Sequence, residues 1–342
     1  MFNMKAICYS CGRSRSGIEN ICPNCGSFFT LKPDFKFRTN FKENYPYVSD
    51  FICLGEVETP ILNLDGFSLK LDYFSPTFSY KDRGSRALVS YLKDVLPERG
   101  ITKINEDSSG NAGSSMAAYG RKAGFDVNIF VPSKTMQSKV NQIKSYGANI
   151  VMVNGTREDV QKTAEKANGF YASHVLNPEF RDGIRTLAYE IFMQSEHMPE
   201  RIFVPVSAGT LLLGLVSGLE HLMESGEIKE VPEIVAVQTE LVSPLYSEVQ
   251  KVPFIDQPDK ASIADALVSK SPLLIKPMVE AVEKYGKCVT VSDPEIIKAR
   301  NDLALSGVYA EYSSATVLAA YRNLKGNKKS LLVLTGNGLK TP

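Results

Sequence analysis

Ser79-Tyr80-Lys81-Asp82-Arg83-Gly84 opens the run whose reading decides the fold. Beyond it Ala87, Leu88, Tyr91, Leu92, Val95 and Leu96 recur at the spacing of one buried helical face, until Pro97 and Gly100 stop the pattern. Ser79, with Asp82 three residues on, has the make-up of a helix cap. Downstream, short apolar runs alternate with amphipathic ones. Strands are expected at 101–105, 126–131 and 149–153, and helices are expected to begin near Gly113, Thr135 and Arg157. Such alternation implies a parallel sheet, because parallel neighbours need a crossover connection, usually a helix.

The same pattern resumes with strands expected at 202–206, 234–238, 287–291 and 330–334, and helices from about Leu211, Pro294 and Ser313. Between them, residues 241–284 hold Pro244, Pro253, Pro258, Pro272 and Pro277 with little periodicity, and read as loops and short helices. A chain of 342 residues has room for about two such α/β domains. Lys plus Arg number 39 against 38 Asp plus Glu, so the net charge of +1 leaves no footprint for nucleic acid or anionic lipid. The N-terminus runs straight into cysteines without an apolar core, so no secretory signal is expected and the cytoplasm is the expected location. Residues 202–219 carry no charge, yet Pro205, Gly209, Gly214 and Gly218 interrupt them. They read as a strand, a turn and a buried helix rather than a membrane span.

Six cysteines are present, and four form Cys8-x-x-Cys11 and Cys22-x-x-Cys25. This is a metal pattern rather than a disulfide framework, since each C-x-x-C turn aims two sulfurs at one tetrahedral ion. Gly12 and Gly26 follow the pairs and suit knuckle turns of positive φ. A zinc held by four thiolates keeps no open coordination position, so its expected role is to hold a ribbon-like module over residues 1–32 together.

Four Gly- or Ser-containing turns stand at strand ends or helix starts: Ser79 to Gly84, Ser108-Ser109-Gly110-Asn111-Ala112-Gly113, Ser207-Ala208-Gly209-Thr210, and Thr335-Gly336-Asn337-Gly338-Leu339-Lys340. Each alone is an ordinary turn. Together they supply a lysine, an amide, an anion cradle and a neutral hydroxyl, which are the separate needs of one cofactor. There is no Walker A sequence and no G-x-G-x-x-G after a strand. His174, His197 and His221 are the only histidines, and they read as surface or boundary residues rather than a hydrolase triad.

The order of these turns resembles the pyridoxal-phosphate enzymes of fold type II, the tryptophan-synthase-β-like group, and within it the threonine synthases. The resemblance spans nearly the whole chain. It rests on Pro76 to Gly84, Ser108 to Asn111, Asn177-Pro178 with Arg181, Asp182-Gly183, Thr186 and Glu190, on Ser262 to Leu267, and on Thr335 to Lys340. The resemblance implies two open twisted α/β domains with the cofactor in the cleft between them, a large one from residues 33–95 and 185–342 and a small one from 96–184. By position it implies that Lys81 forms the Schiff base, and that Asn111 bonds the cofactor's 3′ oxygen. Ser207, Ala208, Gly209, Thr210 and Leu211 would cradle its phosphate, and Thr335 would face the pyridine nitrogen. Ser108, Ser109 and Gly110 would meet the substrate carboxylate. Arg83, Lys139 and Lys340 are candidates for the leaving phosphate.

The implied reaction converts O-phospho-L-homoserine and water to L-threonine and phosphate. Its only expected partner is a phosphorylated amino acid, and a homodimer is left open. Asn337 stands where the family has histidine, Ala112 where threonine is frequent, and Tyr312 where proline is usual within Glu311 to Ala315. These departures touch the substrate frame more than the cofactor frame, so elimination or replacement on serine, threonine or O-phosphoserine stays open as a dehydratase-like or cysteate-synthase-like alternative. A non-catalytic regulator or metal-sensing scaffold would have no need of Lys81, Asn111 and Thr335.

Overall fold

Lys81 to Val95 wind into one helix with Asp82 in its first turn and Lys93 in its last, so charge opposes the helix dipole favourably at both ends. Ser79 does not cap it: its hydroxyl is buried and meets no partner, while Asp82 accepts a hydrogen bond from Ser115 Oγ at 2.6 Å. The computed structural model describes residues 4–133, 135, 137–257, 259–324 and 326–340, without the side chains of 137–139. Along the chain come β1 (Ala6–Cys8), β2 (Phe29–Leu31), β3 (Ile61–Leu64), β4 (Phe67–Leu71), α1 (Lys81–Val95), β5 (Lys103–Glu106), α2 (Asn111–Lys122), β6 (Asp126–Pro132), α3 (Gln137–Ser145), β7 (Asn149–Val153) and α4 (Arg157–Lys166). Then follow β8 (Phe170–Tyr171), α5 (Pro178–Ile184), α6 (Thr186–Gln194), β9 (Arg201–Pro205), α7 (Thr210–Ser225), β10 (Glu233–Thr239), α8 (Pro244–Gln250), α9 (Ile275–Tyr285), β11 (Gly286–Val291), α10 (Asp293–Leu305), α11 (Tyr312–Asn323) and β12 (Ser330–Leu334).

The chain divides into two units. The first comprises Met1–Glu56 and Lys81–Thr186, the second Val57–Tyr80 and Leu187–Pro342. Residues 33–95, expected as one piece of the large domain, are shared: α1 lies with the first unit, and β3 and β4 with the second. The first unit holds a parallel sheet of order β7-β6-β5-β8 and the antiparallel ribbon β1-β2. In it α1 packs on α2 and α5. Close packing on α5 is possible because Gly183 bears no side chain, where a Cβ would strike the Arg83 carbonyl.

The second unit is a six-stranded sheet of order β11-β10-β9-β12-β4-β3, parallel except for the edge pair β3-β4. That edge hairpin turns on the two-residue loop Asp65-Gly66, with glycine at the position of φ 87° that other residues rarely adopt. At the centre, every residue of β9 and β12 is buried, as a parallel strand covered on both faces requires. Phe203, Val235, Val237, Leu332 and Leu334 pack there against Ala315, Val317 and Leu318. The uncharged run 202–219 is β9, a turn and the first part of α7; no helix of the described residues is long and apolar enough to cross a membrane.

Candidate active site

In the first unit Lys81 is the first residue of α1 and half-buried, its Nζ 5.7 Å from the centre of the Phe180 ring. Arg83, one turn position on, donates from Nη1 to Thr186 Oγ1 at 3.0 Å. The loop Ser108-Ser109-Gly110 joins the end of β5 to α2, which starts at Asn111. Gly113 is what lets this loop fold back, since a Cβ there would collide with the Ser108 carbonyl. Ser108 Oγ accepts from the Gly110 N–H at 3.3 Å and holds the turn. The first N–H groups of α2 have no acceptor inside the helix, so the loop presents donors, as an anion requires.

The second unit carries the other turns. Ser207 and Ala208 leave β9, and Gly209 at φ +95° enters α7, which begins at Thr210 and is followed by buried Leu211. A left-handed entry is open to glycine and costly for other residues, and the first N–H groups of the helix it opens have no intrahelical acceptor. Gly209 is the turn's only glycine, so the other donors come from the helix start itself. Thr335 sits past the end of β12, where Ser314 at the start of α11 holds it. Ser314 Oγ is 3.0 Å from Thr335 Oγ1 and accepts from the Thr335 and Gly336 N–H groups at 3.0 and 2.8 Å. Tyr80 joins both turns of this unit: its N–H donates to the Thr335 carbonyl at 3.0 Å and its hydroxyl lies 3.3 Å from Thr210 Oγ1. Ser79 is buried beside them with an orphaned hydroxyl, and its backbone bridges Gly336. The orphaned Ser79 hydroxyl and a helix N-terminus without a side-chain cap fit a phosphorylated ligand in this unit, as an amine and an amide fit an aldehyde and a phenolic oxygen in the other.

Lys340 is engaged by the fold, donating to the Thr77 carbonyl at 2.7 Å. The Lys139 side chain lies outside the described residues. Asn337 closes an Asx turn, accepting from the Leu339 N–H at 3.0 Å.

The Cys8, Cys11, Cys22 and Cys25 sulfurs all lie within 4.8 Å of one another, with Cys8 to Cys25 at 3.4 Å and Cys11 to Cys22 at 3.7 Å. A tetrahedron with metal–sulfur bonds near 2.3 Å has edges of about 3.8 Å, so the set fits one ion. Gly12 and Gly26 take φ 71° and 73° at the two knuckles. Hydrogen bonds from the Arg13 backbone, Asn24 and Cys8 bring the Cys11 thiol down to about 6.

Sequence reasoning missed a buried cluster in the first unit. His174 is not a boundary residue: it is buried, its Nδ1 2.6 Å from Glu106 Oε1, with its N–H donating to Glu106 Oε2 at 3.2 Å. His221 is buried too, against the Tyr189 hydroxyl, and only His197 is exposed. Next to Glu106, Asp107 pairs with Arg157 at 3.0 Å and accepts from Tyr171 at 2.8 Å. Burial pushes the Glu106 carboxyl up to about 7 against the pull of Arg157, the His174 N–H and Lys81. Burial, then Lys81, brings His174 down to about 3. The available signal was two adjacent acids at the end of a buried strand, just before Ser108.

Comparison with known proteins places these turns in context. The pyridoxal-phosphate dependent enzyme family matches residues 52–336. A threonine synthase of Bacillus sp. strain ULM1 is 31% identical over 85% of each chain, and one of Methanosarcina acetivorans is 25% identical over 100% of this chain and 93% of its own. Maize serine racemase superposes with a TM-score of 0.71 at 20% identity, covering 82% of this chain and 88% of its own, a likeness of fold. Since the family match alone takes in most of both units, this chain belongs to the pyridoxal-phosphate-dependent enzymes, on the fold type II frame.

Proposed function

We propose that the chain converts O-phospho-L-homoserine and water to L-threonine and inorganic phosphate, and that its N-terminal cysteines hold one structural zinc. The observation that carries the reading is Thr335, a neutral hydroxyl fixed by Ser314 at the end of the central strand. When bound, pyridoxal phosphate supplies an electron sink for the substrate's α-carbon. Thr335 Oγ1 offers the ring nitrogen a hydroxyl rather than a carboxylate and so does not hold that nitrogen protonated. Proton movement would then fall to the chain's own amine: Lys81 would hold the cofactor's aldehyde carbon and, once its amine is free, act as the base at the substrate's α-carbon.

Asn111 would bond the 3′ oxygen, and Ser207 to Leu211 would take the cofactor phosphate on N–H groups and the positive end of α7. Ser108, Ser109 and Gly110 orient the substrate carboxylate. Arg83, tethered on one side by Thr186, is the cation proposed for the γ-phosphate, and Lys340, already on Thr77, is a weaker candidate. The sequence relatives named threonine synthases support the reading.

A substrate panel with phosphate, threonine and keto acid measured in parallel tests it. O-phospho-L-homoserine should yield phosphate and threonine in equal amounts, with little 2-oxobutanoate from threonine. Donors built for a γ-phosphate are left unpaired by an unphosphorylated analogue, and such sites discriminate by factors of roughly 10⁴ or more. Release from O-phospho-L-serine at much higher kcat/KM would transfer the assignment to β-replacement chemistry.

A further inference from the structure

We propose that Glu106 and His174 are a positioning pair for Lys81, in which loss of one proton from the pair sets the charge it holds near the lysine amine. This rests on the reading of Lys81 as the cofactor lysine. Three contacts carry it. Glu106 Oε1 and His174 Nδ1 are 2.6 Å apart with the carboxylate side chain wholly buried. The His174 ring meets the Phe180 ring edge-on at 5.8 Å, and Lys81 Nζ lies 5.7 Å from the same Phe180 ring. Phe180 itself is seated on Gly84, one turn into α1, at a distance that a Cβ would forbid. A single aromatic ring thus joins the pair to the helix start that carries the amine.

The pair has two forms with the same heavy-atom geometry. In one, Glu106 is a carboxylic acid donating to His174 Nδ1, and the imidazole proton sits on Nε2. In the other, the imidazole donates from Nδ1 to a carboxylate and Nε2 is bare. Going from the first to the second moves the carboxyl proton to Nδ1 and releases the Nε2 proton to solvent, so the pair passes from neutral to a single negative charge. Both forms keep the imidazole uncharged, as its burial favours.

Asp107 shares the cluster, its carboxylate within 4.8 Å of the Glu106 and His174 ligand atoms and raised by burial and then by the Glu106 charge. Asp107 is tied to Arg157 of α4 and to Tyr171 of β8, and Asp82 of α1 is tied to Ser115 of α2. Burial raises Glu106 to about 7, with Arg157, the His174 backbone N–H and Lys81 opposing it.

The charge of Lys81 acts on Glu106, and a pairwise coupling is mutual, so an anionic pair is expected to slow the amine's attack on an aldehyde. The test follows covalent uptake of pyridoxal phosphate by the cofactor-free full chain between pH 6 and 9, trapped with borohydride and mapped to Lys81. The wild-type rate should rise with pH and break to a shallower slope near pH 7. Glu106→Gln should lose the break and run roughly tenfold faster at pH 8.

Nitrogen-15 NMR of labelled histidine in the wild type is the second measurement, with His174 assigned from its loss in His174→Gln. It should show a change of tautomer, without an imidazolium, at the pH of the break. Superimposable uptake profiles for wild type and Glu106→Gln, or one His174 tautomer throughout, would overturn the proposal. A pyridoxyl mass on a lysine other than Lys81 overturns the functional reading instead, and leaves the tautomer result to stand by itself.

Discussion

Lys81 follows directly on Tyr80, whose N–H and hydroxyl are tied to Thr335 and Thr210, so the backbone before the amine is anchored at two points. Lys81→Ala is expected to fold, with an unchanged far-ultraviolet spectrum, and to retain no cofactor after borohydride and denaturation; a retained pyridoxyl group ends the assignment. Ser314 deserves equal weight, because one hydroxyl meets Thr335 Oγ1 and two backbone N–H groups. Ser314→Ala leaves these buried groups short of a partner, and urea unfolding should show a loss of about 1–3 kcal/mol. The Glu106 carboxyl is held at about 7 in the folded chain, above its unfolded value. Its contribution to stability is therefore present below the ordinary carboxylate range and lost as pH rises through 7. Unfolding free energies should show that component falling by roughly 1.4 kcal/mol per unit between about pH 5 and 7 in the wild type and absent in Glu106→Gln.

At the scale of elements, the cysteine ribbon is bound into the first unit rather than appended to it. Arg15 pairs with Glu179 of α5, the Arg181 guanidinium donates to the Phe29 carbonyl of β2, and Asn20 donates to the Tyr171 carbonyl at 2.8 Å. Helix α5 also carries Phe180, so the cysteine ribbon braces the helix whose Phe180 lies by Lys81. Chelating the proposed zinc is expected to speed amide exchange in β2 and in α5 together; a change confined to residues 4–31 contradicts the bracing. Glu179→Ala leaves Arg15, whose side chain is 6 % exposed, without its carboxylate, and the unfolding free energy should drop by about 3–5 kcal/mol. At the start of α2, Gly113→Ala drives the loop off Ser108. Misplacing that loop should lower turnover by roughly 10²-fold with little change in melting temperature.

Across the whole molecule the charge balance of +1 leaves no broad field, so recognition rests on local donors. A cofactor that binds only the folded chain stabilises it by mass action, about 2.7 kcal/mol at a hundredfold excess over Kd. Loading with pyridoxal phosphate should raise the melting temperature by several degrees in the wild type and by clearly less in Lys81→Ala. Equal shifts in the two would show that binding does not depend on that lysine. Much of the α/β alternation was legible in advance: 149–153 and 330–334 match β7 and β12, and the expected α4 begins at its observed first residue. The edge hairpin β3-β4 was not among those expectations, although Asp65-Gly66 followed by the alternating Phe67-Ser68-Leu69-Lys70-Leu71 carries its signal.

What the sequence by itself determined was the local: helix and strand periods, knuckle glycines, and the four turns with their lysine, amide, cradle and hydroxyl. Each is set by neighbours a few residues apart, through dihedral preference and apolar spacing. Only the tertiary structure decided which distant groups lose water together. Glu106 meets His174 across 68 positions, Thr335 meets Ser314 across 21, and Arg15 meets Glu179 across 164. Burial and pairing set the charge and direction of those groups, and neither is a property of spacing along the chain.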